Sequence, residues 1–248
     1  MHRTQTPDPT ALPGGRLAQL LGELARTPSR GAPPCFAERL GRLFDLSDTI
    51  TLDAARQHRS QTGTPQGDAA ERLQEDLLRS RDTLLDGLHR AMARDSDGGQ
   101  LPAPKLARPG SRPLFAPYQK FYQGQQRQFA AGVHGLRVRA RRLLAAQSAE
   151  LARLVELDTV FDHTLSDYSR RGFQRVPALL EKRYETLWQQ HLKSDAPDDD
   201  IPAWLAPGGW LHQFYRDLQA VLVAELDARL EPVLGLYEAL HNEVTDNP

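Results

Sequence analysis

The chain has 248 residues, a formal net charge of −1, 25% charged residues and one cysteine. Near-neutrality removes the general basic excess that nucleic-acid binding favours. A lone cysteine excludes an internal disulfide and a thiolate metal set, and no apolar run approaches the roughly 18 residues that a membrane-spanning helix needs.

The opening Met1-His2-Arg3-Thr4 stretch lacks the hydrophobic region of a secretory signal, so a cytoplasmic location is expected. Residues 1–14 are rich in Thr, Pro and Gly and are expected to be disordered. Leu17, Leu20, Leu21 and Leu24 then recur at helical spacing. A second helix carries Phe36, Leu40, Leu43 and Phe44 on one face. A third, with Ser47 or Asp48 as N-cap, runs through Ile50, Leu52 and Ala55. Residues 15–60 therefore read as a small helical N-terminal unit.

Within 61–94, Asp68 opens a longer helix with Leu73, Leu77, Leu84, Leu85, Leu88 and Met92 near a heptad spacing, interrupted by Arg81. Residues 95–117 hold Pro102, Pro104, Pro109, Pro113 and Pro117. They read as an extended, semi-rigid linker.

Residues 118–248 are expected to form the main bundle. Its organising stretch, Leu114 to Arg171, has no proline beyond Pro117. Phe129, Val133, Leu136, Ala140, Leu143, Leu151, Leu154 and Phe161 mark one apolar face of a long helix. Its weak point is Ala131–Gly135, where two glycines predict either a kink or a helix held straight by packing. Pro177 suits the first turn of the next helix, with Leu179, Leu180, Tyr184, Leu187 and Trp188. Residues 193–209 form an acidic, Pro/Gly-rich break containing one short turn of helix at 201–205, capped by Asp200. The last helix carries Leu226, Leu230, Val233, Tyr237, Leu240 and Val244 as a seam, with Pro232 expected to kink it. No segment alternates with period two. The expected fold is all-α: an elongated antiparallel helical bundle with a long central helix and the small N-terminal unit.

Several residue groups carry chemistry in principle. Glu238 with His241, and Asp86 with His89, have the carboxylate-x-x-histidine spacing of helical di-metal sites. The remaining ligands are missing, so flanking polar residues are the ordinary reading and no cofactor is expected. Asp158, Asp162, His163 and Asp167 could do acid–base work in a cleft, but a solvated helix face explains them better. Arg137, Arg139, Arg141 and Arg142 form a basic cluster downstream of Tyr118, Phe121 and Tyr122. Scattered around the helix, they suggest a solvated or partner-facing surface, and nucleic acid is disfavoured. Cys35 reads as a small core residue. Trp188, Trp204 and Trp210 either plug the corner between two helices or form a partner surface, and the two readings weigh equally. The candidate partner surface is thus Arg137, Arg141, Arg142, Trp188, Trp204 and Trp210.

Two stretches carry a resemblance. One is Cys35 to Ala55. The other is Pro113 to Tyr122, with Phe115-Ala-Pro-Tyr118, continued by Leu136–Ala140, Glu156–Val160 and Val176–Arg183. Together they resemble an uncharacterised proteobacterial family, the domain of unknown function numbered 3348. The similarity runs from about residue 16 to about residue 192 and is looser after 195. The resemblance implies no catalytic residues. It implies neighbours: family members tend to be encoded near a motor-stator-like or ExbB-like membrane protein and an OmpA-like peptidoglycan-binding protein. The reading that follows is a non-enzymatic structural or adaptor protein of an envelope-associated assembly, binding itself as a homodimer or another component. A metal-binding or enzymatic helical bundle and a nucleic-acid binder are the alternatives.

Overall fold

The structure, a computed structural model, describes residues 13–25, 67–93, 99–106, 111–194 and 200–246. Cys35 and the helices expected around Phe36–Phe44 and Ile50–Ala55 lie outside them. The fold is all-α, a helical bundle. Among the described residues, α1 is Pro13–Ala25, α2 Ala69–Met92, α3 Ala116–Ala145, α4 Ala149–Gln174, α5 Val176–His191, α6 Ile201–Leu205 and α7 Trp210–Asp246. Beside them stands one isolated antiparallel bridge between Leu106 and Pro113. The chain divides into two compact units. One holds α2, α3, α4 and α7 from Pro232 onward; the other holds α1, Pro104–Phe115, α5 from Ala178, α6 and α7 up to Glu231.

In the first unit, the stretch expected as one long helix is two. Ala146 and Gln147 turn the chain after α3, and Ser148 starts α4. Ser148 has extended backbone, and its hydroxyl accepts the Leu151 N–H at 3.1 Å. This is the N-cap role, in which a side-chain oxygen replaces the missing helical acceptor. Glu150 in the first turn favours the same end through the helix dipole. The break therefore falls about a dozen residues after the glycines that were expected to cause one. α3 runs unbroken through Ala131–Gly135 because packing uses Gly132. A Cβ there would stand 2.9 Å from Leu84 Cδ2 of α2, so the missing side chain lets the two helices approach.

Pairing partners show that α3 and α4 are antiparallel. Arg141 meets Asp158, Arg137 meets Asp162, and Gln126 Nε2 donates to the Phe173 carbonyl at 3.1 Å. α2 runs antiparallel to α3 likewise, with Arg139 on Asp76 and Gly132 on Leu84. α3 buries Phe121, Tyr122, Phe129, Val133, Leu136, Ala140 and Leu144. Leu144 takes the core position expected of Leu143, which is only half-buried. On α2, Leu73, Leu77 and Leu88 are buried, while Leu84, Leu85 and Met92 are half-buried. The start of the Pro-rich segment docks: the Gln100 and Leu101 amides both donate to the Ala91 carbonyl, at 2.8 and 2.9 Å, and Leu101 is buried. They satisfy one of the carbonyls that a helix C-terminus leaves without a partner.

In the second unit, α5 and α7 are antiparallel, with Arg183 on Asp217, Tyr184 on Phe214 and Trp188 on Trp210. α6 lies between them in sequence and is capped as expected. Asp200 Oδ1 accepts the Ala203 N–H at 3.0 Å. The chain then turns through Gly208, whose φ of +90° lies in the region that only glycine adopts without strain. Gly209 has no room for a side chain, since a Cβ would fall 2.3 Å from the Trp204 carbonyl oxygen. The end of the Pro-rich segment is also pinned. Leu114 N–H donates to Lys105 O at 2.9 Å, and the Tyr184 hydroxyl donates to Pro113 O at 3.2 Å. Segments expected to be extended rather than folded thus make defined contacts at both ends. Pro232 lies inside α7, at the division between the units, and leaves the Ala228 carbonyl without a helical donor.

Candidate functional site

Arg137 and Arg141 are one turn apart on α3, and Asp158 and Asp162 are one turn apart on α4. The hairpin closes them into a single cluster. Arg137 Nε donates to Asp158 Oδ2 at 2.9 Å, its Nη2 to Asp158 Oδ1, and its Nη1 to Asp162 Oδ1 at 2.6 Å. Arg141 Nε donates to Asp158 Oδ2 at 2.7 Å, and its Nη2 to Asp162 Oδ2 at 3.0 Å and to the Asp158 carbonyl. Arg137, Arg141 and Asp158 are only 12–14% exposed. Two guanidiniums thus neutralise two carboxylates in a largely desolvated space. The planar donor fork of arginine suits this bridging, which lysine could not reproduce.

This arrangement corrects two expectations. Arg137 and Arg141 were expected on a solvated or partner-facing surface, and they are inside the hairpin instead. Asp158 and Asp162 were expected on a solvated face, and they are the counter-ions of those arginines. Neither carboxylate is left to act as a base, and neither guanidinium is displayed to a phosphate. The sequence did hold a cue, because both pairs have the same i, i+4 spacing. On one continuous helix they would be about 30 Å apart, so no pairing could be read without the turn at 146–148. His163 and Asp167 are exposed. The hydrogen bond from Arg170 to Asp167, at 2.6 Å, holds that carboxyl below its usual range.

The other two arginines face elsewhere. Arg139 reaches α2, with Nε on Asp76 Oδ2 and Nη2 on Ser80 Oγ, both at 3.2 Å. Arg142 is exposed and, with Arg72, Arg79, Glu75, Asp76 and Leu143, lines an open groove of about 410 Å³ between α2 and α3. Most of its charges are already paired: Arg72 with Asp68, and Arg79 with Glu75 and Asp76. The groove is not a concentrated field of one sign.

The three tryptophans form a cluster in the second unit. Trp188, Trp204 and Trp210 have ring centroids 5.4–5.7 Å apart, and His191 lies 5.5–6.2 Å from each of them. Tyr184 extends the cluster, 5.2 Å from Trp210 and 4.8 Å from Phe214, and Phe115 adds a further ring. Tilted and edge-to-face geometries dominate, as ring quadrupoles prefer. The three indoles are buried, at 5%, 1% and 6% exposure. They plug the corner where α5 and α7 turn back on each other, and they do not present a surface. Among the described residues, Trp204 Nε1, Trp210 Nε1 and His191 Nε2 are buried and find no hydrogen-bond partner. Burial pushes the Tyr184 hydroxyl pKa well above the ordinary phenol value.

The carboxylate–histidine pairs are not assembled. Asp86 and His89 are exposed on α2, and Glu238 and His241 are exposed on α7, where His241 stacks on Tyr237 at 5.9 Å. Among the described residues, no group of three or more His, Cys, Asp or Glu side chains is placed to hold a metal ion. Likewise, no described helix is long and apolar enough to cross a membrane.

α4 carries a feature that the sequence reading missed. It buries only Leu151 and Ala152, while Leu154, Leu157, Phe161 and Leu165 are half-buried and Tyr168 is exposed. The apolar periodicity was legible, but its partial coverage was not.

No curated protein and no solved structure matches the chain. The sequence profile described as protein of unknown function (DUF3348) matches residues 3–242, which is nearly the whole chain, and the protein belongs to that family.

Proposed function

We propose that the chain is a non-enzymatic structural or adaptor protein that works by holding other proteins. The observation that carries this reading is the apolar side of α4, where Leu154, Leu157 and Leu165 are half-buried and Tyr168 is 56% exposed. Such a surface gains most by burial against a protein partner. The polar clusters point the same way. Arginines and aspartates that could serve binding or acid–base chemistry are consumed in ion pairs that join one helix to the next. They stiffen a scaffold.

The location in this proposal is cytoplasmic, and the partner class is an envelope-associated assembly. The partner class rests on the neighbours that the family resemblance implies, the motor-stator-like and OmpA-like proteins. The test is to tag the protein in its native host, crosslink lightly, and identify what co-purifies. Recovery of a motor-stator-like or OmpA-like envelope protein supports the adaptor role. Recovery of no envelope component overturns that assignment.

A further inference from the structure

Charges are matched unequally in the two arginine clusters. In the α3–α4 hairpin, two guanidiniums meet two carboxylates. In the groove between α2 and α3, Arg79 and Arg139 share the carboxylate of Asp76, each at 3.2 Å. The other lining carboxylate, Glu75, stands 3.6 Å from Arg79. Arg139 Nη2 is spent on the neutral Ser80 hydroxyl. Arg142 is exposed and forms no ion pair with a described residue. Three guanidiniums thus share two carboxylates around an open space of about 410 Å³, walled on one side by the half-buried Leu143.

We propose that this groove docks an acidic helical segment of a protein partner, with Arg142 as its anchor. Of the three arginines expected on a partner surface, Arg142 alone is exposed. A groove between two antiparallel helices can take a third helix laid along it. Arg139 and Arg142 are three residues apart on α3, about 4.5 Å along its axis. Two carboxylates one turn apart on a partner helix have nearly the same spacing. Each guanidinium then offers a planar donor fork to one of them. The contacts already present yield easily, because an ion pair as exposed as Arg79 with Glu75 contributes little. Glu75 and Asp76 select the partner class. A nucleic-acid backbone brings a phosphate at every step and would stand against both carboxylates. A helix with two placed acids leaves its other side chains free to meet them. The proposal rests on the reading of the chain as a protein that works through contact, and it names the chemistry of what is contacted here.

The test places a photo-crosslinking residue, p-benzoylphenylalanine, at Glu75 on the groove rim, in the full chain at native level in its own host. The same residue at Gln74, exposed and about 100° away around α2, is the control. Irradiation should join the chain to a protein from position 75, and mass spectrometry should place the adduct on a segment with two acidic residues one turn apart. Arg142→Glu should lower the yield about tenfold or more, with an unchanged helical circular dichroism spectrum. Lysines in place of the partner's two acids should restore the yield to the Arg142→Glu chain. The proposal is overturned by a yield no higher at 75 than at 74, by an adduct on nucleic acid or on a segment without the acidic pair, or by a yield that Arg142→Glu leaves unchanged. An adduct on an acidic segment of a protein outside the envelope keeps this proposal and removes the envelope assignment. An envelope component that co-purifies equally with the Arg142→Glu chain, and does not crosslink from position 75, leaves the adaptor reading standing and removes this one.

Discussion

Arg137 on α3 grips Asp158 on α4 with both Nε and Nη2, although 21 residues separate them in the chain. Asp158 also carries Arg141, so one carboxylate holds two guanidiniums across the hairpin. Asp158→Ala leaves two mostly buried cations short of a counter-ion. Loss of one partner of a buried pair costs about 3 kcal/mol or more. The urea midpoint should fall accordingly, with little change in slope. The double variant Arg141→Met with Asp158→Ala should recover part of the loss, because one of the stranded charges is gone. A single variant that unfolds like the parent would show that the cluster contributes nothing to stability.

Gly132 packs under Leu84, and the geometry sets the sign of a substitution there. Alanine has the higher helix propensity by about 1 kcal/mol. Its methyl group would nevertheless stand 2.9 Å from Leu84 Cδ2, inside contact distance. Leu84 is half-buried and can turn aside, so Gly132→Ala should be near neutral. Gly132→Val has no such escape and should lose about 1–3 kcal/mol. Adding Leu84→Ala should relieve most of the valine penalty. Equal effects of alanine and valine would refute close approach at this point. Thermal unfolding of the four proteins checks it.

Gly209 is a harder case, because the atom in the way is backbone. A Cβ there meets the Trp204 carbonyl oxygen at 2.3 Å and the Ala203 carbonyl oxygen at 2.4 Å. Neither can move without unwinding α6. Gly209→Ala should therefore cost at least about 2 kcal/mol and should change the tryptophan emission, since Trp204 sits in the same turn. Gly235→Ala, on α7 with nothing within 4 Å of the added methyl group, serves as the control. It should be neutral or slightly stabilising.

Tyr184 predicts an alkaline limit. Its hydroxyl is buried and donates to the Pro113 carbonyl, and burial disfavours the phenolate. The folded pKa is raised, so above pH 10 the unfolded chain releases a proton that the folded chain retains. Stability should fall as pH rises from about 10 toward the folded value. Absorbance near 295 nm should show Tyr184 ionising only with unfolding. Tyr184→Phe should reduce the late step by one tyrosine. A tyrosine complement that titrates together near the ordinary value would contradict the burial.

Much of the fold was legible in the sequence because helix formation is local. Leucine spacing located α2, α3, α5 and α7, and Asp200 announced the short α6 through its capping oxygen. Glycines misled where a sequence shows propensity but not neighbours. Gly132 and Gly135 read as a weak point, yet Leu84 uses the first and α3 passes both. The true break, at Ala146–Ser148, has a quiet signal, a serine cap followed by an acid, which is easily lost within a long apolar repeat.

Direction and pairing belonged to the tertiary structure. Taken alone, the sequence determined the residue types and their spacing: arginines one turn apart, aspartates one turn apart, three tryptophans around an acidic break, and an apolar stripe on α4. Whether those arginines met solvent or aspartate depended on a reversal of the chain that local spacing does not encode. Whether the tryptophans were displayed or buried depended on how α5 and α7 came back together. Periodicity states which side chains share a helix face. Only packing decides what that face meets, because the free energy of covering it comes from atoms distant in the chain.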